Sequence, residues 1–357
     1  MARAWWMALA AVAALALTVA GCGSSEHGTN VRRIAFVDPG KDNDPDWTLQ
    51  GKEVVEEFPQ KLHVGVDTVD ASRTSDLRGA LQQVSHEGDQ LVIAHDSRYA
   101  ETAEAVAAET NVPELVWGER PHAQRGLVGQ ITVQDKESGY MLGVLAAHAA
   151  YTRRLGIVVV DDGSPWDLAT WNRMAGGFVA GARSIDPRSR FIYRQVGDGS
   201  GHATYAQAHA AAADELEHGS QMLLILGGGS ALGAQRALES RGGAGETLFM
   251  GAVSDHSSTV HYESGGVPYM IASIIWNMRG VFRQAVHDVR AGRFGEHPYA
   301  LTLRDGGLTL YTSGRAPSDA TEDAEREARR IEAGTLRVPV AATSEAVQAL
   351  IAGAAEG

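Results

Sequence analysis

Short apolar segments alternate with helical segments along most of this 357-residue chain. Residues 157–160 and 222–226 are continuously apolar, a pattern typical of strands that are buried on both faces of a parallel sheet. After Trp276, by contrast, apolar residues recur at the spacing of one helix face, from Met278 to Val289. This repeated strand–helix order predicts parallel βαβ units and therefore an α/β fold.

Ten segments are predicted to be strands. They cover residues 33–37, 63–69, 90–94, 114–117, 127–133, 155–160, 191–196, 221–226, 248–253 and 269–275. Ten strands are many for one doubly wound sheet, and about 325 residues follow Val31, which suits two cores better than one. We therefore expect two lobes, each built on its own sheet of five or six strands.

The lobes are expected to exchange chain at crossings in residues 124–132 and 254–268. The predicted lobe ranges follow approximately from these crossings: 31–125 and 272–300 for the first lobe, and 126–271 and 301–345 for the second. Residues 316–337 are charged and helical in pattern, and we expect them to pack on the second lobe.

The N-terminus indicates export and anchoring. Arg3 precedes an uncharged, mostly apolar run over residues 5–19, and small residues lead to Cys22. This is the pattern of a signal peptide, and the run is shorter than the roughly 20 residues of a membrane span. The segment ending in Cys22 is similar to a bacterial lipobox, although an ordinary signal peptide with a chance cysteine is the alternative. We expect a signal peptide at 1–21, lipidation at Cys22, and a flexible tether at 22–30 that holds the protein on the extracytoplasmic face of the cell membrane.

Composition and motifs argue against several chemistries. Cys22 is the only cysteine, so the folded part has no disulfide, thiolate metal cluster or cysteine nucleophile. A net charge of −13 at pH 7 disfavours nucleic acid as a partner. The chain has no G-x-S-x-G, H-E-x-x-H or Walker A motif. We therefore predict a protein that is not an enzyme, with no catalytic residue, no metal and no cofactor.

The loop after the first predicted strand contains the strongest candidates for ligand binding. Ligands of parallel α/β sheets bind at the carboxyl ends of the strands, where Asp44, Trp47 and Thr48 lie. An indole in this position offers a flat face for stacking, and nearby carboxylates accept hydrogen bonds from hydroxyl groups. The same residues also fit a capped helix start with Trp47 folded into the core. The sequence leaves both interpretations open.

Polar and aromatic residues also follow the later strands. The further candidates are Asp96, Glu119, Asp162, Trp166, Gly228, Gly229, Asp255 and Trp276. The two glycines let the backbone approach a ligand beside a helix N-terminus, where N–H groups are free. Asp162 alternatively caps the following helix. The recurrence of such loops predicts one cleft that takes a small ligand.

In their order and spacing, these segments resemble the basic membrane protein family of substrate-binding lipoproteins, a group that includes purine nucleoside receptors. The resemblance extends from Ile34 to Pro339. It is carried by Asp38, Gly40, Asp44, Asp46, Trp47 and Thr48, and by residues 137–143, 177–181, 227–233, 251–256, 292–294 and 306–308. It implies a type I periplasmic-binding-protein fold, with two Rossmann-like lobes whose parallel sheets are joined by crossovers.

The resemblance also implies roles for individual residues. Trp47 matches an aromatic that stacks on the base, Asp44 an acid that binds the base, and Asp255 one carboxylate of a pair that holds the ribose. The other carboxylate of that pair is replaced by Val253. Trp276 follows the strand after which those relatives have a lysine, and a second stacking phenylalanine is missing near residue 199. Trp276 is a candidate for the lost aromatic wall.

These observations predict a monomeric solute-binding lipoprotein. It would deliver a small polar ligand, such as a nucleoside or a related metabolite, to an ABC importer. Its partners would be the ligand, the membrane permease and the lipid bilayer that holds acylated Cys22. The alternatives are a ligand-sensing lipoprotein of the same fold and a hydrolase that uses the cleft carboxylates.

Overall fold

The computed structural model describes residues 30–40, 45–73, 75–118, 123–198, 205–229, 231–240, 248–254 and 269–353. The strands in these ranges are β1 (Arg33–Asp38), β2 (Gly65–Asp70), β3 (Val92–Ala94), β4 (Glu114–Trp117), β5 (Val128–Val133), β6 (Arg154–Val160), β7 (Arg190–Val196), β8 (Met222–Leu226), β9 (Leu248–Val253), β10 (Met270–Trp276), β11 (Tyr299–Leu301) and β12 (Leu308–Thr312). The helices are α1 (Pro45–Glu56), α2 (Phe58–Lys61), α3 (Leu77–His86), α4 (Ala100–Thr110), α5 (Asp135–Ala149), α6 (Pro165–Ile185), α7 (Tyr205–Glu217), α8 (Ala231–Ser240), α9 (Arg279–Ala291), α10 (Ser318–Glu332) and α11 (Ser344–Ala352).

The described strands form two six-stranded sheets. The first has the order β11-β5-β4-β3-β1-β2 and the second the order β12-β10-β9-β8-β6-β7. Neighbouring strands are parallel except β10 and β12, which are antiparallel. The prediction of an α/β protein with two sheets is confirmed, and each of the ten predicted strands is present. β11 and β12 were not predicted, because they are only three and five residues long.

The predicted crossings are wrong. β5 pairs with β4 in the first sheet, because the chain turns back at a bridge between Gln124 and Val128. β9 and β10 are parallel neighbours in the second sheet, so the connection between them does not change lobes. The first sheet therefore includes β5, which falls in the range predicted for the second lobe. The second sheet includes all of β10, whose last residues fall in the range predicted for the first lobe.

The chain instead changes sheet three times near one end of the second lobe. It passes from β5 through α5 to β6, from β10 through α9 to β11, and from β11 directly to β12. The charged segment after residue 316 forms α10, which packs on α5 as part of the second lobe. No helix within the described ranges is long and apolar enough to span a bilayer.

Helices α5 and α6 pack backbone to backbone beside the first crossing. Four glycines make this possible: Gly139 and Gly143 in α5, and Gly177 and Gly181 in α6. A β-carbon on any of them would overlap a carbonyl oxygen of the opposite helix. The contact fixes the crossing helix to the second lobe, since two helices this close leave no room for sliding side chains.

We expect Gly177→Ala to destabilise the protein by about 1–3 kcal/mol, because the added methyl group must push α5 away from α6. Gly280→Ala in α9 is the matched control, since nothing lies within 4 Å of a β-carbon there. That variant should keep its stability or gain up to about 1 kcal/mol from the lower backbone entropy of alanine. Denaturant unfolding measures both, and equal stability of the two variants would contradict the packing argument.

Candidate ligand-binding cleft

The carboxyl ends of the two sheets meet at a cleft between the lobes. Residues that follow β1, β3 and β4 of the first sheet contact residues that follow β6, β9 and β10 of the second. In open α/β sheets this edge is where ligands bind, because the loops and helix N-termini converge there. The topology therefore places one candidate site between the two lobes.

Five tryptophans converge in this cleft, and we call them the tryptophan cluster: Trp47, Trp117, Trp166, Trp171 and Trp276. Trp117 of the first lobe faces Trp276 of the second, with ring centroids 6.2 Å apart and an interplanar angle of 25°. Trp276 also contacts Trp171 at 5.7 Å, and Trp117 contacts Trp166 at 6.1 Å. These five are all the tryptophans that follow Cys22. The chain after Cys22 therefore concentrates its largest aromatic side chains between the lobes.

Trp47 is held in place by His95. Their rings stack at 4.5 Å, the indole Nε1 donates to His95 O at 2.8 Å, and His95 Nε2 lies 3.0 Å from Trp47 O. His95 is fully buried, and burial lowers its pKa to about 3, so the imidazole is neutral at physiological pH. Trp47 also contacts Trp276 of the other lobe, with ring centroids 5.8 Å apart and an interplanar angle of 79°. Trp47 thus stacks on a core residue with one face and belongs to the cleft through its contact with Trp276.

Several buried polar groups in the cleft have no hydrogen-bond partner within the described residues. They include the indole Nε1 atoms of Trp117, Trp171 and Trp276 and the hydroxyl of Thr48. Trp117 and Thr48 have no exposed surface, and Trp276 is 2% exposed. Native proteins rarely leave such groups unpaired, because each costs about 1–3 kcal/mol. Donors collected at one cleft suit a ligand that offers acceptors.

Among the described residues, direct hydrogen bonds join the two sides of the cleft at two points. Ser97, after β3, lies 2.6 Å from Ser164 Oγ and donates to Asp167 Oδ2 at 2.9 Å. Gln50 of α1 donates through Nε2 to the carbonyl oxygen of Val253 at 2.7 Å. We call these two contacts the interlobe hydrogen bonds. They hold the structure in a closed arrangement.

Val253 adopts an unusual backbone conformation at the second of these contacts. Its φ is 75°, in the left-handed region that a β-branched side chain rarely enters. Such a conformation costs on the order of 1–3 kcal/mol and clusters at ligand-binding sites. Here it ends β9 and turns the carbonyl oxygen of Val253 toward Gln50 of the other lobe.

Carboxylates from both lobes face each other beside the tryptophan cluster. Asp96 binds Arg98 through Nε at 2.9 Å and Nη2 at 2.6 Å. Burial raises the pKa of Asp162, and the nearby Arg98 partly offsets this rise. Burial also raises the pKa of Asp167 well above its usual range, with Asp162 and Asp96 adding repulsion. Asp162 and Asp167 are therefore held toward their protonated, neutral forms, because the described groups around them do not compensate for burial and mutual repulsion.

The predicted site residues divide into three groups. Trp47, Asp96, Asp162, Trp166 and Trp276 lie together in the cleft, and Thr48 is a buried residue of α1. Gly228 and Gly229 lie after β8 at the same edge, where their carbonyl oxygens accept the first hydrogen bonds of α8. Cys22, Asp44, Glu119 and Asp255 lie outside the described residues.

Sequence reasoning missed part of the cleft. The residues not selected are Gln50, His95, Ser97, Ser164, Asp167 and Trp171, and the sequence offers Trp117, which ends β4, only as a substitute for Trp47. A capping signal was present for two of them, since Ser164 caps α6 by accepting from the backbone N–H of Asp167, three residues later. His95 and Ser97 follow β3, as Asp96 does, whereas Gln50 and Trp171 lie within helices and only the folded chain brings them to the cleft.

The same architecture occurs in solved structures. An ABC transporter solute-binding protein from Conexibacter woesei matches with a TM-score of 0.68 and 20% identity, covering 87% of this chain and 99% of that chain. One from Aeropyrum pernix K1 matches with a TM-score of 0.69 and 16% identity, covering 91% and 99%. The fold is therefore that of a type I periplasmic solute-binding protein, as the resemblance implied.

A family model narrows this class further. Residues 31–340 match the Bmp family, described as PnrA-like ABC transporter substrate-binding proteins, and the chain belongs to that family. It is also similar to the ABC transporter nucleoside-binding protein BmpA of Lactococcus lactis subsp. cremoris, with 23% identity over 323 residues, 85% of this chain and 89% of that protein. The family acts outside the cytoplasm, and its members are solute-binding proteins rather than enzymes.

We expect Ser97→Ala to open the ligand-free protein, because it removes both contacts of Ser97 with the second lobe. At about 1 kcal/mol for each hydrogen bond, the ratio of closed to open molecules should fall about fivefold to thirtyfold. Energy transfer between one label in each lobe measures this ratio, and the absence of cysteines after Cys22 allows clean labelling.

Ser72→Ala is the control, since Ser72 bonds only to Asp70 of its own lobe among the described contacts. It should leave the distance between the labels unchanged. If Ser97→Ala and wild type show the same distance distribution, the contacts of Ser97 do not hold the lobes together.

Proposed function

We propose that this protein captures a small polar ligand with a flat ring, of the nucleoside class, and delivers it to an ABC importer. The observation that carries the proposal is the near-parallel pair of Trp117 and Trp276, one from each lobe. A flat ring between two indoles needs planes about 7 Å apart, twice the ordinary carbon contact distance. The centroid distance of 6.2 Å means that a slight opening of the lobes admits the ring.

The polar groups around this pair support the same ligand class. A nucleoside carries acceptor atoms on its base and hydroxyl groups on its sugar. The acceptors would satisfy the unpartnered indole N–H groups of Trp117, Trp171 and Trp276. The hydroxyls would donate to carboxylates such as Asp162, whose Oδ1 atom is buried without a partner. The similarity to a nucleoside-binding protein points in the same direction.

The remaining residues selected from the sequence belong to this proposal as well. Trp47 and Trp166 would form the side walls of the pocket, and Asp44, Thr48, Asp96, Glu119, Gly228, Gly229 and Asp255 would complete it. Closure of the lobes around the ligand would create the surface that the permease recognises. Acylated Cys22 and the tether at 22–30 would keep a monomeric receptor beside its permease.

A nucleoside that enters the cleft should change the intrinsic fluorescence of the protein, because every tryptophan of the mature chain lies there. Trp276→Leu should weaken that binding by about tenfold to hundredfold, from the loss of roughly 1–3 kcal/mol of stacking. Calorimetric titration with adenosine, inosine, guanosine, cytidine and uridine gives the dissociation constants.

Phe178→Leu controls for lost stability, since Phe178 is a fully buried core residue of α6 that makes no described contact with the tryptophan cluster. It should lower the melting temperature without changing affinity. If the two variants bind equally well after correction for unfolded protein, Trp276 is not a stacking residue. If no nucleoside binds the wild type, the proposed ligand class is wrong.

Cys22→Ser should release the protein from the membrane fraction, because a lipobox needs the thiol for acylation. Ser24→Ala, two residues away in the tether, should stay membrane-bound. Fractionation and detergent partitioning of both variants measure the anchor. A Cys22→Ser variant that still sediments with membranes and partitions into detergent would rule out lipidation at this residue.

A further inference from the structure

The ionisable residues of the cleft indicate the charge of the ligand, in addition to its flat ring. This inference rests on the proposed function. Asp96 of the first lobe and Asp162 and Asp167 of the second lie at the same contact between the lobes. Arg98 is the basic group at this point among the described residues, and both oxygens of Asp96 already engage it. Asp162 lies near Arg98, while Asp167 accepts hydrogen bonds from the hydroxyls of Ser97 and Ser164 and lies near Asp162. Among the described residues, one guanidinium is therefore shared by three carboxyl groups, and burial and mutual repulsion raise the pKa of Asp162 and of Asp167.

Neighbouring basic residues do not correct this imbalance. Lys52 Nζ lies 3.4 Å from Asp38 Oδ2. Arg173 Nη2 lies 2.6 Å from Asp135 Oδ2, and Lys136 Nζ lies 3.6 Å from Glu137 Oε1. Each of these described basic groups at the strand ends has a carboxylate of its own.

The N-terminus of α6 offers only part of the missing charge. A helix N-terminus acts as roughly half a positive charge, and Asp167 lies in the first turn of α6. Asp162 and Asp167 in their ionised forms would carry about four times that charge, which is why burial raises the pKa of both. Closure of the cleft also removes water from them, which strengthens the repulsion between them.

Indole rings lie next to this contact between the lobes. Trp166 is adjacent in sequence to Asp167 and contacts Trp117, which in turn faces Trp276. The face of an indole attracts a cation within about 6 Å of the ring centroid, and more strongly when water is excluded. The buried, unpartnered N–H groups of Trp117 and Trp276 are an independent sign that a ligand occupies this space.

We propose that the ligand carries a positively charged nitrogen, which binds between the carboxylates of Asp162 and Asp167 and the faces of Trp166 and Trp117. Acceptor atoms on the same ligand accept hydrogen bonds from the indole N–H groups. The cation lets these carboxyl groups ionise and pair with it, so its binding shifts the balance between open and closed molecules further toward the closed arrangement. A neutral ring of the same shape lacks this contribution.

The test compares matched pairs of probes that differ in charge. Choline is paired with 3,3-dimethylbutan-1-ol, which has the same shape without the charge. Adenosine is paired with 1-methyladenosine, which is positively charged at neutral pH. Calorimetric titration of the mature protein at low and at physiological salt gives the ratio of affinities within each pair. We expect the cationic member to bind at least tenfold more tightly in every pair that binds.

Asp162→Asn and Asp167→Asn should each reduce that ratio by about tenfold, because they remove a charge and keep the shape of the side chain. Two variants are used so that one that fails to fold does not end the test. Glu217→Gln makes the same chemical change at an exposed position of α7 and should leave the ratio unchanged. Equal losses in all three variants would overturn the site.

The outcomes separate this inference from the proposed function. Tight binding of adenosine without preference for 1-methyladenosine overturns the cationic site and leaves the nucleoside proposal intact. Preference for choline with no binding of either nucleoside supports the cationic site and overturns the nucleoside class. Failure of both cationic probes to bind, or weaker binding than their neutral partners, overturns the cationic site.

Discussion

Contact between tryptophans of the two lobes is the interaction on which this closed structure depends. Trp117 ends a strand of the first sheet, Trp276 ends a strand of the second, and their rings face each other. Buried apolar residues of both lobes form one continuous cluster through this point. Because aromatic side chains bury more area than any others, separating the lobes means exposing the largest apolar side chains of the sequence after Cys22.

The polar groups around the aromatic contact determine how the lobes close and which ligands fit between them. Interlobe hydrogen bonds made by Ser97 and Gln50 fix the geometry of closure, and the left-handed backbone of Val253 is retained to make one of them. The unpartnered indole N–H groups and the buried carboxyl groups oppose closure unless a ligand satisfies them. Burial of aromatic surface therefore favours closure of the lobes, and the unpaired polar groups make closure without a ligand less favourable.

The connections between the two lobes show how little of this architecture is encoded in local sequence. Glycines at matching positions let α5 and α6 touch through their backbones, and this holds the crossing helix on the second lobe. The positions of the crossings were predicted wrongly because crossings depend on strand pairing. β5 and β10 have the same apolar pattern whichever sheet they join, since burial on both faces is common to both.

The sequence by itself determined the α/β class, the ten main strands, the two-sheet division and the family, because hydrophobic periodicity and the order of loop residues are local properties. It also selected Trp47, Asp96, Asp162, Trp166 and Trp276, which follow strands or begin helices. Only the tertiary structure decided that Trp171, Ser97 and Asp167 join them, that His95 holds Trp47, and that carboxyl groups from both lobes meet at one point. Those facts depend on distances between residues far apart in the chain, which the packing of two sheets sets and no local pattern encodes.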